Sequence, residues 1–482
     1  MKKFINILLI LISFGLVFTA CEDRTDLTPP SAPNPKSGNA DLTRFVSIGN
    51  SLTAGYQSGA LYQSAQIYSF VNLIAQQVGT SFEQPLVSDP GTGGRMEIQS
   101  LDFATGQVSI TFNSGTGTPL NLNYPAPYNN LGIPGALLFD VLNATDSTNC
   151  ASALFANSPN PLFNLILRGI GTQFQQAKLL HPTFVTLWIG NNDVLGFAAS
   201  GGVAPAAPTD AATFQGLYSL LADSIASLGA NVVVANIPNV TSIPYFTTVG
   251  PVVAQEVPWP LLQVLGLPGL CYQKHGEVVG SGFADSSALM TGAVLITLPA
   301  SNYAAYIGDT TGTFDNLYYK NGIPAGIDTH KPLGFHPQNP VPDGLVLDPD
   351  EITTALNATT AFNTAIGNLA AQYNFGLVNI NDFYDNIRAA DFSGGVTYNG
   401  ITFTTRYILG GLFSLDGVHP SSRGQAILAN EFIKVINSKF NAGIPLINVS
   451  TIPASLLLAK INLNRKDLIP YYQPGSFNHL FF

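Results

Sequence analysis

A serine, a histidine and an aspartate stand in surroundings that suit nucleophilic catalysis. Ser51 follows the apolar run "RFVSIG" after a single asparagine, and far down the chain "DGVHP" places Asp416 three residues before His419. A serine hydroxyl is a weak nucleophile at neutral pH, so it needs a nearby base, and that base needs an orienting partner. The three residues predict a triad in which Ser51 attacks, His419 carries the proton and Asp416 orients the imidazole.

Attack on an ester carbonyl also generates an oxyanion, which requires hydrogen-bond donors that are fixed in advance. Two further stretches offer such donors. "LWIGNNDVLG" presents Asn192 just after an apolar run, and "NNLGIPGALLFDVL" contains two glycines, Gly132 and Gly135. The backbone N–H of Ser51, one glycine N–H and the Asn192 amide can together supply three donors.

Four stretches, taken in order, resemble the sequence blocks of the SGNH (GDSL-like) hydrolase family, named for its Ser, Gly, Asn and His. They are "SIGNSLTAG", "NNLGIPGALLFDVL", "LWIGNNDVLG" and "FSLDGVHPSSRGQAILANEF", within residues 44–440. The resemblance implies a serine ester hydrolase that works through an acyl-enzyme and needs no cofactor. It assigns the oxyanion hole to Ser51, Gly135 and Asn192, with Gly135 preferred to Gly132 because a small residue and a helix follow it.

The first block departs from the family at one position. Asn50 stands where the family usually has aspartate. Asparagine keeps a similar shape and an acceptor but loses the charge. Because this residue is not the triad acid, we expect activity to survive, although a non-catalytic binding lipoprotein on the same scaffold stays open as an alternative.

The elements that must position these residues alternate between two patterns. Short runs that are apolar throughout predict buried strands, and amphipathic stretches between them predict helices. Such strands favour a parallel sheet covered by helices on both faces, and therefore an α/β fold with three α/β/α layers, as in flavodoxin-like proteins. The predicted strands are "RFVSIG", "TFVTLWIG", "ANVVVANI" and "FGLVNIND".

Three stretches predict helices with defined ends. The first, "SAQIYSFVNLIAQQVG", stops at Gly79, and the last follows Pro420. Between them, Asp348, Pro349 and Glu351 form a capping-box pattern that begins a long helix. The residues that these last two helices are expected to bury are Ile352, Leu356, Phe362, Ile366 and Leu369, and then Leu428, Phe432 and Ile436.

Two stretches interrupt the α/β pattern and are interpreted as insertions at about 80–128 and 245–345. The first contains an alternating stretch, 95–124, that predicts hairpins turning at Thr105-Gly106. The second is rich in glycine, proline and aromatic residues. Apolar runs in it favour a lipase or carboxylesterase, whereas a deacetylase acting on the O-acetyl groups of carbohydrates is the alternative enzyme.

The N-terminus predicts export and a lipid anchor. A basic start and an apolar run within residues 1–20 are typical of a signal peptide, and "FTAC" resembles a bacterial lipobox that ends at Cys21. Lipidation of Cys21, a polar tether over 21–43 and a C-terminal extension over 441–482 would make an extracytoplasmic, membrane-anchored lipoprotein of the cell envelope, outer membrane or cell surface. A net charge of -10 without a basic patch argues against nucleic acid as a partner.

The remaining cysteines and histidines give less specific predictions. Cys150 and Cys271 either form one disulfide or are two buried free thiols. His275, His330 and His336 lack the spacing of a helical ligand pair, so a structural or surface role is expected and no metal site is predicted. The "DPDE" stretch near residue 348 lacks the spacing of a calcium loop.

Overall fold

The structure is a computed structural model that describes residues 35–102, 107–205, 207–264, 266–313, 318–319, 322–454, 463–464 and 469–472. The predicted signal peptide and Cys21 lie outside these residues, as does the turn at Thr105-Gly106. The strands are β1 (Phe45–Gly49), β2 (Arg95–Asp102), β3 (Gln107–Asn113), β4 (Asn130–Gly132), β5 (Phe184–Trp188), β6 (Asn231–Ala235), β7 (Leu270–Tyr272), β8 (Gly282–Ala284), β9 (Leu295–Ile296), β10 (Val346–Leu347), β11 (Gly376–Val378), β12 (Val396–Tyr398), β13 (Ile401–Phe403), β14 (Leu463–Asn464) and β15 (Ile469–Tyr472).

A five-stranded sheet lies at the centre of the fold, with the strand order β11-β6-β5-β1-β4. Every neighbouring pair in it runs parallel. Gly49 at the end of β1 is in register with Gly132 of β4 and with Trp188 of β5. The carboxyl ends of these three strands therefore meet at one edge, which is where open parallel sheets bind ligands.

Helices lie between these strands along the chain, and the protein is of the α/β class. Phe70 and Phe432, from two different helices, pack with Trp188 at ring distances of 5.6 and 6.0 Å. Phe214 and Phe362 stack at 3.9 Å and join two further helices. The described α-helices are Ser51–Ala54, Gln63–Gln66, Phe70–Val78, Asp140–Asn143, Ala151–Ala156, Leu162–Leu167, Gln173–Leu179, Asn192–Ala199, Ala211–Ala226, Pro244–Thr247, Val249–Glu256, Trp259–Val264, Ser286–Thr291, Ser301–Ala304, Pro349–Gln372, Ile380–Ala390 and Ser422–Phe440.

The four predicted core strands are confirmed, although β11 is only three residues long. Strand β4 was not predicted, because three residues are too short to show a periodicity. Gln173 holds the ends of β1 and β4 together, since its side-chain amide donates to the carbonyl oxygens of Gly49, at 2.8 Å, and Leu131. The edge strand β4 is thus held by a side chain of the helix Gln173–Leu179.

The prediction of one continuous first helix is wrong, because the structure interrupts it. The structure divides it into Gln63–Gln66 and Phe70–Val78, and the second piece ends at Gly79 as predicted. Ser69 leaves the helical conformation and its hydroxyl accepts the N–H of Asn72, so it caps the second piece. The Asn72 side chain donates back to Ile67 O and fixes the break.

The long helix begins as predicted, with a complete capping box between Asp348 and Glu351. Phe362, Ile366 and Leu369 are buried, as expected. Ile352 and Leu356 are only half-buried, because the buried stripe in the first turns passes through Glu351, Ala355 and Thr359 instead. The final helix, Ser422–Phe440, buries Leu428, Phe432 and Ile436 as predicted.

Both stretches interpreted as insertions contain antiparallel pairs, unlike the core sheet. Strands β2 and β3 pair antiparallel, and two strands from the predicted C-terminal extension flank them, with β14 parallel to β2 and β15 parallel to β3. In the second stretch, β7 pairs antiparallel with β8, and β9 pairs antiparallel with β10, which lies just beyond the stretch. Residues 463–464 and 469–472 of the predicted extension are therefore part of a sheet with the first insertion.

The folded part of the chain begins earlier than residue 44. Lys36 bridges to Gly443, and Asn39 N–H donates to Phe440 O at 2.7 Å. Ala40 and Leu42 are buried. Residues 36–43, which were assigned to the tether, thus pack against the domain. Within the described residues, no helix combines the length and the apolar character needed to cross a bilayer.

The two cysteines outside the signal region are not paired. Cys150 and Cys271 are both buried free thiols, so the disulfide alternative is not realised. Cys150 precedes the helix Ala151–Ala156, where its sulfur contacts Ser147 O at 3.3 Å. Cys271 lies in β7 within a different hairpin, which gives each sulfur a separate packing environment.

Candidate active site

Ser51 lies at the carboxyl end of β1 and is the first residue of the short helix Ser51–Ala54. The flanking glycines are required by geometry. A Cβ at Gly49 would lie 2.1 Å from Thr53 Oγ1 and 2.6 Å from Trp188 O. Gly55 ends the helix in the left-handed region at a φ of 78°. The backbone thus makes a sharp strand-to-helix turn with the serine at its corner.

The three predicted triad side chains form one chain of contacts. Ser51 Oγ lies 2.8 Å from His419 Nε2, and His419 Nδ1 lies 3.0 Å from Asp416 Oδ2. Both distances are those of hydrogen bonds. With a proton on Nδ1, the imidazole donates to the carboxylate and accepts from the serine hydroxyl, which is the state that a general base requires.

Asp416 is fully buried, yet every part of its carboxylate is hydrogen-bonded. Oδ1 accepts the N–H groups of Val418 and His419 at 2.9 and 2.8 Å, and Oδ2 accepts Gly59 N–H at 3.2 Å as well as the imidazole. Burial raises the pKa of Asp416, but the charge on His419 and these hydrogen bonds outweigh it, so the pKa lies below its ordinary value. Asp416 therefore stays ionised at neutral pH.

The loop after Gly55 holds the turn that carries Asp416 and His419. Ser58 N–H donates to Ser414 Oγ at 3.0 Å, and Ser414 N–H donates to His419 O at 2.8 Å. The Tyr56 ring packs 4.8 Å from the imidazole of His419. These contacts fix the position of the imidazole relative to the serine. Sequence reasoning missed this loop, because "GYQSG" shows no periodicity.

Asn192 lines the same pocket as Ser51 and His419. One hydrogen of its side-chain amide is donated to Ala136 O at 2.9 Å. The amide nitrogen carries a second hydrogen. Ala136 thus fixes the orientation of the amide and leaves one donor for an oxyanion.

The two candidate glycines have different surroundings. Gly132 N–H already donates to Asn130 Oδ1 at 3.0 Å, and a Cβ at Gly132 would lie 2.5 Å from Ala54 N, so this glycine serves packing. Gly135 has a φ of 82°, and among the described residues no acceptor contacts its N–H. Gly135 is not among the residues that line the pocket, but it adjoins Ala136, which contacts Asn192. The geometry favours Gly135 as the donor.

Asn50 is fully buried and makes two contacts. Its Oδ1 accepts Leu52 N–H at 3.1 Å and caps the helix that begins at Ser51. Its Nδ2 lies 3.4 Å from Asn191 Oδ1. The asparagine at this position therefore connects the nucleophile turn to the segment that carries Asn192.

Two buried carboxylates hold the loop that contains Gly135. Asp193 Oδ2 accepts Leu138 N–H at 2.9 Å, and Asp140 Oδ2 accepts Leu137 N–H at 2.8 Å. Burial raises the pKa of Asp193 to about 7 and that of Asp140 to about 6, despite the hydrogen bonds that lower them. Sequence reasoning assigned neither residue a role, although both acids occur within the quoted blocks.

The pocket beside Ser51 has mostly apolar walls. It contains about 480 Å³ of empty space, including the part open to solvent. Besides the polar residues already described, the walls are formed by Leu52, Trp188, Leu195, Pro238, Val240, Ile243, Tyr384, Phe413 and Val418. No residue of the second insertion, 245–345, lines the pocket, so the apolar runs that favoured a lipase or carboxylesterase lie outside its walls.

The histidines that were set aside divide into two groups. His330 and His336 make local contacts within their own loop. His275 instead lies near Asp343 and Glu351, with atoms suited to bind a metal. This cluster is separate from the pocket beside Ser51.

Comparison with known sequences gives no assignment. No protein-family model matches the chain, and no curated protein is significantly similar to it. The residues of the candidate active site and their geometry are therefore the basis for proposing a function.

Proposed function

We propose that this protein is a serine ester hydrolase of the SGNH type, with the three-layer α/β/α arrangement of that family. The observation that carries the proposal is the contact chain from Ser51 Oγ through His419 to Asp416, with distances of 2.8 and 3.0 Å. Because Ser51 is far from Asp416 and His419 in the sequence, chance is a poor explanation for their contact.

The proposed reaction proceeds in two halves. His419 Nε2 takes the proton of Ser51 as Oγ attacks the ester carbonyl, and the protonated imidazole then gives that proton to the leaving alcohol. Water, deprotonated by His419, attacks the acyl-enzyme and releases the acid and the free serine. Asp416 remains a carboxylate throughout and stabilises the imidazolium. The N–H groups of Ser51 and Gly135 and the amide of Asn192 hold the oxyanion in both halves.

The pocket supports a small, apolar acyl group. Its walls are mainly hydrocarbon, so a methyl or propyl group gains free energy by leaving water for this pocket. Its empty space of about 480 Å³, part of which is open to solvent, lies toward the lower end of the range for ligand pockets. We therefore propose short-chain carboxylic esters, from acetyl to about butyryl, as the acyl side of the substrate.

The same small pocket also favours a second candidate, a carbohydrate O-deacetylase. An acetyl group fits the space, and the pocket places no demand on the alcohol that leaves. Rates on an acetylated polysaccharide and on a simple butyrate ester would separate the two. Preference for the polysaccharide favours the deacetylase, and preference for butyrate favours the esterase.

The test uses 4-nitrophenyl esters from acetate to palmitate and the full-length chain in detergent. S51A should lose most of the rate, by several orders of magnitude, because no other group can form the acyl-enzyme. S224A provides the matched control, since Ser224 is half-buried on the helix Ala211–Ala226, outside the pocket, and its hydroxyl donates to Leu220 O of the same helix. Equal, negligible rates and no labelling of Ser51 by a fluorophosphonate would favour a non-catalytic binding lipoprotein.

Anchoring through Cys21 is part of the proposal. The lipobox-like "FTAC" supports it, and export would place the active site outside the cytoplasm. Expression of C21S beside the parent chain tests this. The parent should fractionate with membranes and incorporate labelled fatty acid, whereas C21S should do neither.

A further inference from the structure

Three side chains suited to metal binding meet where the second insertion approaches the helix Pro349–Gln372. His275 follows β7, Asp343 begins a short 3-10 helix, and Glu351 lies in the first turn of the long helix. One ligand atom from each lies within 4.8 Å of the other two. His275 Nδ1 is 3.6 Å from Asp343 Oδ2, which is too long for a good hydrogen bond.

Glu351 supplies an independent sign that something is bound there. Its side chain is 7% exposed, and Oε2 accepts Asp348 N–H at 2.8 Å in the capping box. The other oxygen, Oε1, is buried and has no hydrogen-bond partner within the described part of the chain. A buried oxygen left without a hydrogen-bond donor destabilises the folded state. A cation between the three groups would satisfy it.

The backbone of Gly202 packs closely against this oxygen. Gly202 has a φ of 74°, and a Cβ there would lie 2.2 Å from Glu351 Oε1. The glycine thus allows the backbone to approach the carboxylate closely. Because Gly202 follows the helix Asn192–Ala199, the cluster touches the core of the fold as well as the insertion.

We propose that His275, Asp343 and Glu351 bind one Zn²⁺ ion that fastens the second insertion to the long helix. An imidazole nitrogen with two carboxylate oxygens is a donor set that zinc accepts, whereas calcium and magnesium take oxygen ligands. None of the three residues lines the pocket beside Ser51, so the ion would take no part in the proposed ester hydrolysis, and a water molecule would fill the fourth position of the tetrahedral ion.

The first experiment is a titration of the full-length chain, stripped with a chelator and held in detergent, with zinc chloride alone. We expect one equivalent bound through these residues. H275A, D343N and E351Q should each weaken binding by at least about 10- to 100-fold, the loss that even outer-shell partners of a metal cause. E351Q is informative because the glutamine oxygen can still accept Asp348 N–H and keep the helix cap.

H330A serves as the matched control, because His330 belongs to the same insertion but lies outside the cluster. Zinc should raise the thermal unfolding midpoint of the parent chain and of H330A, and should leave that of H275A unchanged. Absence of zinc binding at millimolar concentration would overturn the proposal. Zinc binding that H275A and E351Q leave intact would also overturn it, as would calcium binding that survives H275A.

Discussion

The side-chain amide of Asn50 reaches Asn191 Oδ1 at 3.4 Å, so the residue before the nucleophile is joined to the residue before Asn192. This contact explains how asparagine serves at a position where the resembling family usually has aspartate. Both residues are buried, so the contact is shielded from water. It couples the nucleophile turn to the predicted oxyanion donor.

Replacement of Asn50 tests this coupling. N50D should keep at least about a tenth of the ester-hydrolysis rate, because Asn191 can rotate its amide to offer Nδ2 and the carboxylate can still cap Leu52 N–H. N50A loses both contacts, and loss of the cap alone costs about 0.5–2 kcal/mol. Rates and thermal midpoints of both variants would be measured together. An N50D protein as inactive as S51A, with an unchanged midpoint, would contradict this interpretation.

Asp416→Asn should abolish most catalysis while preserving the fold. An amide that keeps its oxygen toward the imidazole and Gly59 N–H turns its NH2 group toward the N–H groups of Val418 and His419, which then lose their acceptor. In the opposite orientation the NH2 group faces His419 Nδ1 and reverses the imidazole tautomer. Triads that lose this charge drop in kcat on the order of 10⁴-fold. D223N, an exposed change on the helix Ala211–Ala226, is the control. A loss smaller than tenfold in D416N would remove Asp416 from the proposed mechanism.

Replacement of Gly135 should mainly lower kcat, whereas replacement of Gly132 should mainly lower stability. G135A places a side chain at a φ of 82°, which costs about 1–2 kcal/mol and disturbs the N–H that we assign to the oxyanion. G132A drives a Cβ into Ala54 N and should lower the thermal midpoint much more. We expect kcat to fall in G135A beyond what its midpoint explains. Full activity in G135A would show that a group other than the Gly135 N–H donates to the oxyanion.

Asp193 should make stability depend on pH in a definite direction. Its pKa is near 3.8 in the unfolded chain and about 7 when folded, mainly because of burial. The folded state therefore holds a proton that the unfolded state has lost, so stability is full below about pH 4 and declines as the pH rises through 7. The size of this effect is on the order of 1–4 kcal/mol.

D193N should flatten that decline, because its oxygen can still accept Leu138 N–H and no charge appears at high pH. Thermal midpoints at pH 5 and pH 8 would be compared for the parent chain, D193N and D223N. Asp140, whose pKa is also raised, leaves some dependence in D193N. Equal slopes in the parent chain and D193N would show that Asp193 does not titrate in this range.

The central sheet could be predicted because its signals are local, whereas the triad residues could be predicted only because four separate stretches, taken in order, resemble the blocks of one family. Ser51 and Asn192 each follow a run of buried residues, and Asp416 and His419 lie within one turn. The break before Ser69 was missed because the apolar spacing continues across it, and only the hydroxyl contact to Asn72 reveals the cap. The cluster of His275, Asp343 and Glu351 was missed since its members are joined by tertiary folding and share no spacing.

The contact between Ser51 and His419 spans 368 positions of the chain. Any fragment that stops before residue 419 contains the turn at Ser51 without the imidazole that contacts it. If the proposed function is correct, a protease that removes the helix Ser422–Phe440 together with the turn before it would abolish hydrolysis without touching the serine.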